Sequence, residues 1–159
     1  MLRYYFYAAL FLLAAVSAFF AISFSYRTQP LQTESIQEAE FGKMSLRIEY
    51  ATTTAARERG LGGRRNIADD YAMLFVFPND GYYGFWMKDT LVPLDMFWLD
   101  DKGQVTFFAR DVATSTYPHV FYPSEPARYV LETAAGFAQA NGITIGTPLV
   151  LQNWPRVSE

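Results

Sequence analysis

The chain opens on 23 uncharged, mostly apolar positions, residues 4–26, bracketed by Arg3 and Arg27. A polar, acidic stretch over 27–41 follows, without sustained periodicity. The pattern then changes to a period of two. Over 43–51, Met44, Leu46, Ile48 and Tyr50 alternate with Ser45, Arg47 and Glu49, which predicts a half-buried strand. Thr52-Thr53-Thr54 offers hydroxyl caps to a short helix over 55–60, which Gly60, Gly62 and Gly63 end. The apolar run 72–77 stops at Pro78. With the turn Asn79-Asp80-Gly81 and the run 82–90, it predicts a hairpin. Residues 94–99 and 104–110, joined through Asp101-Lys102-Gly103, predict a second hairpin. A long loop over 111–126 carries three prolines. It leads to a strand over 127–132, a short helix over 134–140 closed by Asn141-Gly142, and a last strand over 147–152. Six or seven strands and two short helices predict a mainly β fold, a compact antiparallel sandwich or barrel-like domain. The expected organisation is a transmembrane anchor or signal peptide over 1–27, a flexible linker over 28–42, the β domain over 43–153 and a tail over 154–159.

As a helix, residues 4–26 span about 34 Å, enough to cross a bilayer core. Tyr4, Tyr5 and Tyr7 at one end and Tyr26 at the other resemble interfacial belts. Val16-Ser17-Ala18 is a small-residue site suited to signal cleavage, and secretion after cleavage is the alternative. Apolar residues continue past that site through Phe19, Phe20, Ile22 and Phe24, which favours an anchor. Arg3 and the amino terminus favour the inside, so the expected location is the cytoplasmic membrane, single-pass, with the domain outside.

Composition narrows the chemistry. A net charge of -3 with both signs interspersed argues against nucleic acid as a partner. The absence of cysteine excludes disulfides and thiolate chemistry. No nucleophile elbow, P-loop lysine or dinucleotide-binding glycine fingerprint is present, and His119 is the sole histidine, so no cofactor or metal is expected.

Several strings stand out: Arg59-Gly60-Leu61-Gly62-Gly63-Arg64, Met73-Leu74-Phe75-Val76-Phe77-Pro78, the block from Phe85-Trp86-Met87-Lys88-Asp89-Thr90 to Pro93-Leu94-Asp95-Met96, and Pro126-Ala127-Arg128-Tyr129-Val130-Leu131-Glu132, followed by Gly136 and Gly142. In this order and spacing they resemble the family of domain of unknown function 192, also called uncharacterised protein family 0127. The resemblance covers about residues 44–151. It implies a compact β-rich fold, often behind a signal sequence in bacteria, and brings no established activity. Where the family usually has Met, Asn and Asp, this chain has Gly62, Asp89 and Thr147. The loss of Met at Gly62 weakens any function that would depend on that thioether.

Six residues are candidates for ligand binding: Arg59, Arg64, Trp86, Lys88, Asp95 and Glu132. Asp95 sits in a strand that is apolar on both faces, where a carboxylate needs a partner. That partner is either structural, as an ion pair with Lys88 as the expected mate or as a turn-capping acceptor, or a ligand. Lys88 shares a strand face with Trp86 and Thr90, and Glu132 shares one with Val130 and Arg128. Arg59 and Arg64 flank the glycines, where guanidinium forks suit carboxylates and phosphates as readily as solvent. Met44, Met73, Met87 and Met96 fall at apolar positions and read as core rather than copper ligands, and His119 reads as a loop residue. Tyr82, Tyr83, Trp86, Tyr117 and Tyr122 read as core, or as a sugar-stacking platform. The leading expectation is an extracytoplasmic binding module for a small molecule or glycan of the envelope. The alternative is an enzyme using Asp95 and Glu132 as acid and base, with Lys88 or Arg59 stabilising negative charge.

Overall fold

The computed structural model describes residues 36–157. Strands β1 (Gln37–Phe41), β2 (Met44–Ala51), β3 (Tyr71–Gly81), β5 (Leu94–Leu99), β6 (Val105–Val112), β8 (Ala127–Ala134) and β9 (Leu149–Leu151) form one sheet in the order β6-β5-β8-β3-β2-β1-β9. Helix α1 (Thr54–Arg59) connects β2 to β3, and α2 (Phe137–Asn141) follows β8. Two short strands, β4 (Phe85–Trp86) and β7 (Val120–Phe121), pair separately. The expected 94–99/104–110 hairpin is β5–β6.

The sheet curls into a half-barrel whose edges touch at one end. The Leu149 amide donates to the Gly103 carbonyl at 2.9 Å, and the Val105 amide to that of Thr147 at 3.0 Å. The core inside the curl takes residues from all seven strands, with Phe41, Ile48, Leu74, Phe97 and Leu131 at its centre and Phe137 of α2 packed against them. A second core covers the opposite face of β3, β5 and β8: Met73, Phe75, Met96, Trp98 and Val130 pack under Ala56, Leu61, Ile67 and Met87. All six residues of β5 are buried. This accounts for its unbroken apolar run, since a strand covered on both faces loses its alternation.

Three expectations change. Of the two expected forms the barrel-like one is found, as a half-barrel, but its sheet is not wholly antiparallel: β2 pairs with β3 in parallel, because α1 carries the chain back before β3 begins. The runs 72–77 and 82–90 do not form a hairpin. β3 lies between β2 and β8, and the chain after Gly81 leaves the sheet to lie over the second core, where the Trp98 Nε1–H donates to the Tyr83 carbonyl at 2.8 Å. Within the expected linker over 28–42, Gln37–Phe41 is instead a strand between β2 and β9, and residues 28–35 lie outside the described residues. Its alternation is carried only by Ala39 and Phe41 against exposed Glu38 and Glu40, too faint a signal to separate from a polar linker. Residues 4–26 lie outside the described residues. Among those described, no helix is long and apolar enough to cross a membrane.

Phe41 shows how much rests on β1. It is fully buried, stacks on Phe137 with ring centroids 5.9 Å apart, and meets Phe97 edge-on at 5.1 Å. Phe41→Ala should therefore cost about 3–5 kcal/mol in urea unfolding. A loss under about 1 kcal/mol would mean that β1 is an appendage rather than part of the sheet.

Candidate functional site

The glycine string and the Phe-Trp-Met-Lys block meet in space. Helix α1 begins with Thr53, whose Oγ1 accepts from the Ala56 amide at 3.1 Å, and ends at Gly60 with φ +50°. The turn that follows is joined to the segment after β4 by the Gly63 amide, which donates to the Asp89 carbonyl at 2.8 Å. Asp89 stands in the left-handed region at φ 56°, a conformation that Asp and Asn tolerate better than most residues.

Between these segments lies a cleft of about 490 Å³. Arg57, Glu58 and Arg59 of α1 line one side, and Tyr83, Phe85, Trp86 and Lys88 the other. Phe75 and Phe77 of β3 and Glu132 of β8 also line it. Trp86 is half exposed and Lys88 exposed. Arg57 is held in place: its Nη1 donates to the carbonyls of Thr52 and Val76, and its guanidinium lies 5.4 Å from the Phe77 ring centroid. Gly62 also lines the cleft, and a Cβ there would come 2.9 Å from the Arg59 carbonyl oxygen.

Glu132 is the unusual group of the cleft. It sits in the middle of the sheet between Met73 of β3 and Met96 of β5, and only 4% of its surface is exposed. Its carboxyl has no hydrogen-bond or ion-pair partner among the described residues. Burial pushes its pKa up to about 8, because the charged form has lost its water without gaining a counter-ion. Strongly shifted, unpaired acids in a cleft mark sites of chemistry or binding more often than sites of packing.

Asp95 is the opposite case. It is fully buried, and both of its oxygens are occupied: Oδ1 accepts from the Asp111 amide at 2.7 Å and Oδ2 from the Ala138 amide at 2.8 Å. The first bond holds β6 where Asp111 turns through φ 52°, and the second satisfies an amide in the first turn of α2. The carboxylate is thus a structural acceptor, and the expected Lys88–Asp95 ion pair does not form. Phe97 and Leu99, on the Asp95 side of β5, belong to the inner core, while Lys88 lines the cleft over the outer one. The same alternation separates the two carboxylates. Asp95 faces inward and Glu132, with Val130, faces outward, so the proposed acid–base pair has no common cleft.

Of the six candidates, Arg59, Trp86, Lys88 and Glu132 share the cleft, and Arg64 and Asp95 lie outside it. Arg64 Nη2 donates to both Glu49 oxygens at 2.7 and 2.8 Å, and its Nη1 donates to the Tyr71 hydroxyl at 2.7 Å. The Tyr71 hydroxyl also donates to Glu49, and burial with that carboxylate raises its pKa. Met73, Met87 and Met96 are core residues, and His119 is exposed against Phe121. Arg57 and Glu58, also in the cleft, were not singled out as site candidates, because only the fold brings them near Glu132. Of the aromatic residues read as core or as a platform, Tyr83 and Trp86 line the cleft, while Tyr82, Tyr117 and Tyr122 are exposed outside it.

Fold and site together define a curled-sheet domain with a buried acid opening into a cleft beside a glycine turn. The chain belongs to the family described as uncharacterized ACR, domain of unknown function 192, whose model matches residues 36–151. It is 31% identical over 104 residues to an uncharacterised protein family 0127 protein of Thermococcus gammatolerans, an alignment covering 62% of each chain. The chain thus spans about three fifths of that relative's length. A crystal structure from Sinorhizobium meliloti 1021, provisionally described as a transcription regulator, superposes with a TM-score of 0.70 at 29% identity, covering 73% of this chain and 93% of that one. A protein of unknown function from Novosphingobium aromaticivorans DSM 12444 superposes with a TM-score of 0.69 at 25% identity, covering 77% and 90%.

Two outcomes follow for these acids. Asp95→Asn sets an N–H against a backbone N–H and should cost about 1.5–3 kcal/mol. Lys88→Met should cost little, and the double variant should be additive within about 0.5 kcal/mol in denaturant unfolding. A larger coupling would restore the ion pair. For Glu132, the folded state keeps its proton up to about 8 while the unfolded chain loses it near 4.5. Its contribution is therefore fully present below the unfolded value and is lost as pH rises through the folded one. Stability should fall by on the order of a few kcal/mol between these limits, and Glu132→Gln should flatten that part of the profile. An unchanged pH profile in the variant would mean that Glu132 ionises normally.

Proposed function

We propose that this protein is a non-catalytic binding module that holds a small envelope-associated ligand in the cleft beneath α1. We further propose that residues 4–26 keep it on the outer face of the cytoplasmic membrane. The observation that carries the binding reading is the unpartnered Glu132 carboxyl in that cleft. A domain gains nothing in stability from a buried acid without partners, and such penalties are retained where a site needs the group. The cleft's aromatic walls and rim cations are the usual means of gripping and orienting a small molecule. The location reading rests on the long uncharged stretch and its flanking arginines. A regulatory role on nucleic acid, which the description of the Sinorhizobium protein suggests, finds little support in a chain of net charge -3.

The full chain, held in mild detergent, should be melted against small carboxylates, phosphates and envelope saccharides. A ligand present at 100 times its Kd adds about 2.7 kcal/mol, which moves the midpoint by several degrees. At least one class should do so, and Trp86→Ala should abolish the shift. No shift from any class would remove the binding reading. Protease added to spheroplasts should cut the domain while a cytoplasmic marker survives, and protection of the domain would reverse its assigned side.

A further inference from the structure

The charge of the cleft indicates what its ligand carries. Arg57, Arg59 and Lys88 line it against one exposed carboxylate, Glu58, and Glu132 is neutral over most of the physiological range. Neither Arg57 nor Lys88 pairs with Glu132 among the described residues. Lys88 in particular makes no ion pair among the described residues, and its exposed ammonium stands two residues from the half-exposed Trp86.

Two ligand chemistries suit a buried acid among aromatic rings. An ammonium would use the ring faces and an ionised Glu132. It would have to pass three cations and drive a desolvated acid to ionise. An anion meets those cations directly, and a neutral carboxylic acid can donate to it a hydrogen bond that a carboxylate cannot. The balance of charge favours the anion.

We propose that the cleft binds the anionic group, a carboxylate or a phosphate, of a small ligand with a flat apolar body. Lys88 receives the charge, Trp86 packs the body, and the Glu132 carboxyl donates a hydrogen bond to the anion. This rests on the reading of the cleft as a ligand site and names the ligand's class. It also makes binding depend on a proton. The other charged or titratable groups of the cleft are Arg57, Glu58 and Arg59 on α1 and Tyr83 and Lys88 on the opposite side, while the strands flanking Glu132 place Met73 and Met96 beside it. With no basic group bonded to Glu132, pH acts mainly through Glu132 itself, and affinity falls above about pH 8.

The test uses two probes that share an indole ring and differ in charge, indole-3-acetate and tryptamine, titrated calorimetrically into the full chain at pH 6.5 and 9.5. Indole-3-acetate should bind the wild type at pH 6.5 and weaken by roughly tenfold or more at pH 9.5. Glu132→Gln, whose amide still donates, should keep binding and lose most of that pH dependence. Lys88→Met should bind several-fold more weakly with an unchanged melting point. Tighter binding of tryptamine would overturn the anion assignment while leaving the cleft a ligand site. Full pH dependence surviving in Glu132→Gln would overturn the role of the acid. If neither indole binds, the flat anionic class is wrong, and the saccharide and phosphate panel decides separately whether the cleft is a site at all.

Discussion

The structure depends on covering three strands from both sides. β3, β5 and β8 form the middle of the sheet, and their side chains are apolar in both directions. Curling the sheet buries one face against itself. The other face needs separate cover, which comes from α1, the glycine turn and the segment after Gly81. Each buried Phe, Met or Leu on that face contributes about 1.5–3 kcal/mol that exposure would forfeit. The cover is made of short, irregular pieces held by single bonds such as Gly63 to Asp89 and Trp98 to Tyr83. Irregular cover over the outer face of the curled sheet leaves a cleft.

Two acids on adjacent strands illustrate what burial demands. Asp95 and Glu132 lie one register step apart, since Asp95 pairs with Thr133 and Met96 with Glu132. Asp95 turns inward and receives two backbone amides, so its charge is compensated and ties β6 and α2 to the sheet. Glu132 turns outward into the cleft and has no hydrogen-bond or ion-pair partner among the described residues. The same side-chain chemistry thus serves as an anchor in one place and, in the other, is an acid whose pKa burial raises. The difference lies in whether backbone amides or a cleft face it.

Much of this was legible in the residues. The alternation of β2, the β5–β6 hairpin, the two short helices and the two-sided burial of β5 follow from period, caps and turn residues. Arg59, Trp86, Lys88 and Glu132 were identifiable as polar or half-polar groups in strongly structured strings. Their convergence was not, because residues 59 and 132 are brought together by a parallel β2–β3 crossover and by the insertion of β8 beside β3, which no local pattern encodes. The Lys88–Asp95 pairing failed for a related reason: proximity along the chain suggested contact, while the sheet itself stood between the two.

By itself the sequence determined the class of the domain, its family, the long apolar segment ahead of it and the apolar strands, because each is written in local composition and periodicity. Tertiary structure alone decided which strands neighbour one another, that the stretch 37–41 is a strand, and which buried acid is satisfied. Those outcomes turn on which groups arrive opposite a side chain across the fold, and a residue's own neighbours in sequence carry no record of that.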